Sequence, residues 1–227
     1  MPRFLDLLAR WRKEPLITAA LLLIAGGLWG FMEISEAVGE GETHAWDEAV
    51  LLSLREPGNL SDPIGSSRIE EMGRDLTALG GFTILTGLTL ASIGIALFLR
   101  KPRIAALIAI SITTASFLTS LLKQGFDRPR PDLVPHGTVV TNASFPSGHS
   151  MMAAVVYLTL GMLLARTQPG RAFRVYLIAL SVVVTLLVGT SRVYLGVHWP
   201  SDVLAGWTLG AAWALLFGLI AIRIDRP

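Results

Sequence analysis

Residues 103–131 read RIAALIAISITTASFLTSLLKQGFDRPRP. No charged side chain occurs from 104 to 122, and then Lys123, Asp127, Arg128 and Arg130 arrive together. An α-helix needs about 20 predominantly apolar residues to cross the hydrocarbon of a bilayer, so this stretch is a membrane span that ends in a group of cations. Apolar segments of similar kind lie near 15–33, 76–99, 103–123, 148–166, 172–190 and 202–222. The expected fold is therefore all-α, a polytopic membrane protein of six transmembrane helices forming a single domain over residues 1–227.

Composition agrees. Of 227 residues, 52% are hydrophobic and only 16% charged, the balance of an integral membrane protein rather than a soluble domain. A net charge of +2, with basic residues scattered between apolar runs, argues against a nucleic-acid partner. The absence of cysteine excludes disulfides and thiolate metal sites.

Arg10, Arg12 and Lys13 precede the first apolar stretch as they would in a secretory signal. Its core is longer than the roughly 7–15 residues of a signal and lacks a clean small-residue cleavage site, so it reads as a retained span. Basic residues at 1–13 interleave with Phe4, Leu5, Leu7, Leu8 and Trp11, as in an amphipathic segment resting on an anionic leaflet. With the N-terminus inside, the cytoplasmic segments hold 12 of the 19 Lys and Arg residues. The positive-inside rule then puts both termini of a multi-pass membrane protein in the cytoplasm.

One long polar insertion, 34–75, separates the first two spans. Within it Trp46, Val50, Leu51 and Leu54 fall at helical spacing, with Thr43 placed as an N-cap and Asp47 and Glu48 in the first turn. This predicts a short extracytoplasmic helix at the interface. It serves either as a lid over a lipid entrance or as a solvated loop with a packed apolar face.

Three segments carry the chemistry. They are Lys123 to Pro131; Pro146-Ser147-Gly148-His149; and Ser191-Arg192 followed by His198 and Asp202. Six spans bring all three out on the same outer face. Ionisable side chains at a membrane are costly, so function is their default explanation. Lys123, Arg130 and Arg192 can clamp phosphate oxygens, the arginines through paired contacts and the lysine as a point charge. Pro129 and Pro131 hold the chain extended around Arg130. Arg128 reads as a cation facing headgroups.

Ser147 can cap the fourth span, Gly148 lets backbone approach a ligand, and free N–H groups at a helix N-terminus bind anions. His149 in that first turn can donate a proton to a leaving group. His198 and Asp202 stand four apart, with Pro200 favouring a helix start between them. A carboxylate there holds one imidazole nitrogen protonated and leaves the other free to attack phosphorus.

The pattern Lys-x6-Arg-Pro, Pro-Ser-Gly-His and Ser-Arg-x5-His-x3-Asp resembles the type 2 phosphatidic acid phosphatase family, with all three parts intact between Lys123 and Asp202. The six-span layout is similar to the bacterial lipid-phosphatase branch of that family. The resemblance implies His198 as nucleophile, Asp202 as its orienter and His149 as general acid. It implies Lys123, Arg130, Ser147, Gly148 and Arg192 as phosphate-binding residues, and no metal or other cofactor. It leaves Ser191 without a role. The implied activity is dephosphorylation of a membrane lipid phosphate or diphosphate at the outer face. Undecaprenyl diphosphate is favoured, with phosphatidylglycerol phosphate and phosphatidate as alternative substrates, and the partners expected are the lipid phosphate and membrane lipids, with the oligomeric state left open. The same residues would serve a phosphotransferase in which a lipid hydroxyl resolves the phosphohistidine. An anion transporter is disfavoured, because no matching charges lie midway along the other spans.

Other features invite less. Asn142-Ala143-Ser144 matches a glycosylation pattern, but a glycan there would obstruct the proposed site. His44 and His136 read as solvated, and Asp127 and Asp132 as exposed charge balance. Gly206-x-x-x-Gly210 fits helix packing within the chain or dimerisation. Trp29, Trp199, Trp207 and Trp213 fit interfacial anchors or packing residues.

Overall fold

The computed structural model describes residues 15–136 and 142–224. In order, the elements are α1 (Pro15–Gly39), α2 (His44–Ser53), β1 (Arg55–Glu56), β2 (Asn59–Pro63), α3 (Ser67–Ala78), α4 (Phe82–Phe98), α5 (Pro102–Phe126) and α6 (Gly148–Ala153). A π turn, Ala154–Leu158, joins α6 to α7 (Thr159–Arg166), and α8 (Arg171–Tyr194) and α9 (Pro200–Ile224) complete the chain. The amphipathic segment expected at 1–13 lies outside the described residues.

Five helices are long and apolar enough to cross a membrane: Ile17–Gly39, Pro102–Phe126, the composite Gly148–Arg166, Arg171–Tyr194 and Pro200–Ile224. The expected second span, 76–99, is instead a pair, with α3 and α4 bent by 44° at their junction. Gly80-Gly81 lie at the bend, where glycine's poor helix propensity favours a break. The close contact explains the choice: a Cβ on Gly80 would meet Val188 on α8 and lie 3.3 Å from the His149 ring. The Leu79 carbonyl at the break accepts from Tyr157 Oη at 2.8 Å, so the backbone group freed there has a partner.

The 34–75 insertion is more structured than a single short helix. α1 continues to Gly39, and α2 is followed by a two-stranded antiparallel hairpin and then α3. Thr43 sits at the N-cap of α2 with helical backbone angles and no capping side-chain bond. Its hydroxyl is turned to Arg128 instead. Leu51 is fully buried while Trp46 stays about half exposed, so α2 docks through one side on the bundle.

α9 is the central helix, meeting α1, α5, α6, α8 and α2. Its glycines are the reason it can. A Cβ on Gly206 would lie 2.8 Å from the Ser147 carbonyl, and one on Gly210 would lie 2.6 Å from that of Met151, so this pair packs within the chain against α6. Trp207 Nε1 donates to Thr185 O at 3.1 Å and Trp213 Nε1 to Ser111 O at 3.0 Å, tying α9 to α8 and α5. These two tryptophans are packing residues, whereas Trp29 on α1 is exposed.

The polarity of the molecule is inverted relative to a soluble domain. Phe82, Phe98, Phe117 and Leu22 are exposed, while Asp47, Arg192, His198 and Asp202 are buried. Apolar surface on this scale fits lipid contact. The buried charges are gathered at one end of the bundle.

Candidate active site

Five segments meet at that end. The last turn of α5 carries Lys123, the following extended chain carries Arg128 and Arg130, and the first turn of α6 carries Ser147, Gly148 and His149. The last turn of α8 supplies Arg192, and the turn into α9 supplies His198 and Asp202. All eight residues read from the sequence as a site thus converge.

The His198 imidazole is 2% exposed, and its Nδ1 stands 3.2 Å from Asp202 Oδ2. That contact makes Nδ1 the protonated nitrogen and leaves Nε2 unprotonated, with its lone pair toward Arg130. Burial pushes the His198 pKa down from 6.5 to about 3, with Asp202 opposing this and Arg130 and Arg192 adding to it. The ring is therefore neutral near pH 7, as a nitrogen nucleophile must be. Asp202 is held from several sides. Trp199 N donates to Oδ2 at 3.0 Å, Ser144 Oγ donates to the same oxygen, and Arg128 Nη1 donates to Oδ1 at 2.6 Å.

Of the three cations read from the sequence as a clamp, Arg130 is the one that reaches Nε2. Arg130 Nη1 lies 3.1 Å from it and donates to Val197 O at 2.5 Å, while Nε and Nη2 hold Asn142 through its carbonyl and Oδ1. Lys123 Nζ donates to Ala143 O at 2.5 Å. Arg192, 3% exposed, donates from Nη1 to Thr77 Oγ1 at 2.8 Å, and its buried Nε has no partner. Such an orphan donor is costly unless a ligand meets it. Lys123, Arg130, Arg192 and His149 all lie within electrostatic reach of one another.

Ser147 caps α6 as expected, accepting from Ser150 N at 3.4 Å and Ser150 Oγ at 2.8 Å. The N–H groups of Gly148 and His149, first in the helix, have no intrahelical carbonyl. Gly148 packs against Lys123, with 3.6 Å from a built Cβ to Cε. The half-buried His149 ring makes no side-chain hydrogen bond among the described residues and is packed against Gly80.

Four residues escaped the sequence reading. Arg128, taken there as headgroup-facing, is nearly buried and bridges Asp202 to Asp47, with Nη2 donating to Asp47 Oδ2 at 2.8 Å and to Thr43 Oγ1 at 3.2 Å. Asp47 also accepts from Ser201 N at 2.8 Å and Ser201 Oγ at 2.6 Å. Ser144, which the glycosylation-like pattern disguised, orients Asp202, and Thr77 aims Arg192. Ser191 turns its hydroxyl back to Val188 O at 2.6 Å, within its own helix. His44 is not simply solvated, since Nε2 lies 3.1 Å from Glu48 and the ring meets Trp199 edge-on.

Lys123, Arg128, Arg130 and Arg192 face two carboxylates, Asp47 and Asp202. The surplus of two positive charges matches a phosphate dianion. Among the described residues no three His, Asp or Glu side chains converge as a metal site would require.

Residues 104–223 match the family described as PAP2 superfamily. A phosphatidylglycerophosphatase B of Bacillus subtilis is 34% identical over 197 residues, covering 84% of this chain and 89% of that protein. An undecaprenyl-diphosphatase of Sulfolobus acidocaldarius is 33% identical over 120 residues, covering 51% of this chain and 54% of the other. The crystal structure of a transmembrane PAP2-type phosphatidylglycerolphosphate phosphatase from Bacillus subtilis superposes with a TM-score of 0.80 at 29% identity, covering 89% of this chain and 98% of that one.

Proposed function

The chain belongs to the PAP2 superfamily, and on that premise we propose that it removes a terminal phosphate from a membrane lipid phosphate or diphosphate through a phosphohistidine on His198. The observation that carries this reading is the neutral, buried His198, with its unprotonated Nε2 against the Arg130 guanidinium and its Nδ1 on a carboxylate. Lys123, Arg130, Arg192 and the first N–H groups of α6 bind the phosphate oxygens. Nε2 attacks phosphorus, the bond from phosphorus to the lipid oxygen breaks, and His149, protonated beside the bound phosphate dianion, gives that oxygen its proton. Water then attacks the phosphohistidine with His149 taking its proton, releasing inorganic phosphate and restoring both rings. Before substrate arrives Arg130 occupies the Nε2 lone pair, so phosphate binding must draw that guanidinium away.

The longer of the two relative alignments is to the phosphatidylglycerophosphatase. Phosphatidylglycerol phosphate accordingly stands beside undecaprenyl diphosphate as the first substrate to assay. The working arrangement is a single domain of six spans, with the site on the outer face of the bacterial inner membrane and both termini in the cytoplasm. Protein mixed with lipid carrying labelled phosphate and quenched in base retains label, and His198→Ala retains none. Label on His198→Ala protein would overturn the mechanism. Label transferred to a second lipid rather than released would make the enzyme a phosphotransferase.

A further inference from the structure

Beside the site lies an open cleft of about 100 Å³, roughly three times the ~30 Å³ share of one water and enough for one small anion. It is lined by Arg55, Ser61, Glu70, Arg74 and His136, from the hairpin, α3 and the chain beyond Arg130. Arg55 is the unusual member. It is 5% exposed, Nη2 donates to Tyr194 O at 3.1 Å, and its buried Nε has no partner. Among the described residues no carboxylate lies in ion-pair reach of it. Glu70, the one acid in the lining, stands 3.6 Å from Arg74 and is balanced there.

A guanidinium stays charged at any working pH, and burying one without a counter-ion is expensive. The fold nevertheless makes room for it. Gly196 adopts φ 71°, and a Cβ there would lie 2.9 Å from Arg55 Nη2, so this turn is shaped to let the guanidinium in. The same turn leads directly to His198. The cleft walls are thus the segments that follow two clamp arginines, with His136 downstream of Arg130 and Leu195 downstream of Arg192.

We propose that this cleft is a second anion subsite, taking a phosphate group other than the one held by Lys123, Arg130 and Arg192. The Arg55 and Arg74 guanidinium groups are its donors, with Ser61 in its lining. The phosphate belongs to the far end of a two-phosphate substrate headgroup, to a neighbouring anionic lipid, or to released inorganic phosphate.

Direct binding tests the subsite independently of the proposed catalysis. Full-length protein in neutral detergent is dialysed against labelled inorganic phosphate. The wild type binds two equivalents, and Arg55→Gln or Arg74→Gln weakens one of them about tenfold, the loss expected for a charge-assisted contact. Glutamine at 55 keeps a donor for Tyr194 O, and the half-exposed Arg74 gives a variant with no folding demand. Phosphate binding identical in wild type and both variants overturns the proposal.

Three further arms identify the source. A kcat/KM loss on phosphatidylglycerol phosphate but not on phosphatidate, with one phosphate, assigns the headgroup. A loss of stimulation by phosphatidylglycerol in phosphatidylcholine vesicles assigns a neighbouring lipid, and relief of product inhibition alone assigns free phosphate. If the wild type bound two phosphates but hydrolysed no lipid, the proposed function would fall and the subsite would stand.

Discussion

Arg128 holds two carboxylates at once. Its fork reaches Asp202 with one nitrogen and Asp47 with the other, so the carboxylate that orients His198 is itself fixed to helix α2. Lysine is a point charge and cannot span both. Arg128→Lys should therefore lower kcat about tenfold or more, the cost of misplacing a charge-assisted contact, with KM little changed because the clamp is intact. An equal rise in KM would instead place Arg128 on the substrate. His198 makes a second prediction at this scale. With its pKa depressed to about 3 from 6.5, the unfolded chain takes up a proton between those values that the folded chain refuses. This contribution to stability is thus intact above about pH 6.5 and declines as pH falls toward 3. Melting curves in detergent at pH 7 and pH 5 should show a loss that His198→Gln reduces, and the acid limb of kcat/KM due to this ring should lie well below pH 6.5. His198 and Asp202 were readable because they stand four apart, and Arg130 because it follows Lys123 at the end of an apolar span between two prolines. Arg128 was not, since Asp47 is 81 residues away and looks like any of ten acids in its segment until α2 docks.

At the level of elements, the contact between α9 and α6 sets the site. Ser147 N donates to the Asp202 carbonyl at 2.9 Å, joining the turn proposed to bind phosphate to the helix whose carboxylate meets His198. Gly206 allows that approach. Gly206→Ala should cost about 1–3 kcal/mol by overpacking against backbone and lower the thermal midpoint in detergent, with activity falling alongside. Gly26→Ala, whose Cβ would meet nothing within 4 Å, is the control and should be neutral. Equal melting of both variants would remove the argument from close packing. Long apolar helices such as α5 and α9 were plain in the sequence because lipid demands length and hydrophobicity. The hairpin was not, since its strands of two and five residues are too short for an alternating pattern and β2 is mostly exposed. Nor was the bend at Gly80-Gly81, whose cause is the distant His149 and Val188.

For the whole molecule, the buried charges at one end fix how each helix must run. α1 leads into α2, which touches Ser201 at the site end, while Gly80 packs on His149 at that end too. α5 then returns to the site end at Lys123, so α4 must carry the chain from Gly81 to the far end. It has 17 residues, about 25 Å of helix, somewhat less than the ~30 Å of hydrocarbon. The far end also holds the basic turns at Arg100-Lys101 and Arg171, which the positive-inside expectation assigns to the cytoplasm. Because the chain has no cysteine, single substitutions report topology without background. Asn59→Cys in the hairpin should react with an impermeant maleimide on intact spheroplasts, while Pro102→Cys and Thr167→Cys should react only after lysis. Labelling of Pro102→Cys from outside would make α4 a re-entrant segment and leave five crossings. The opposite pattern at all three sites would turn the site to the cytoplasm, where lipid phosphates of the inner leaflet would be its substrates.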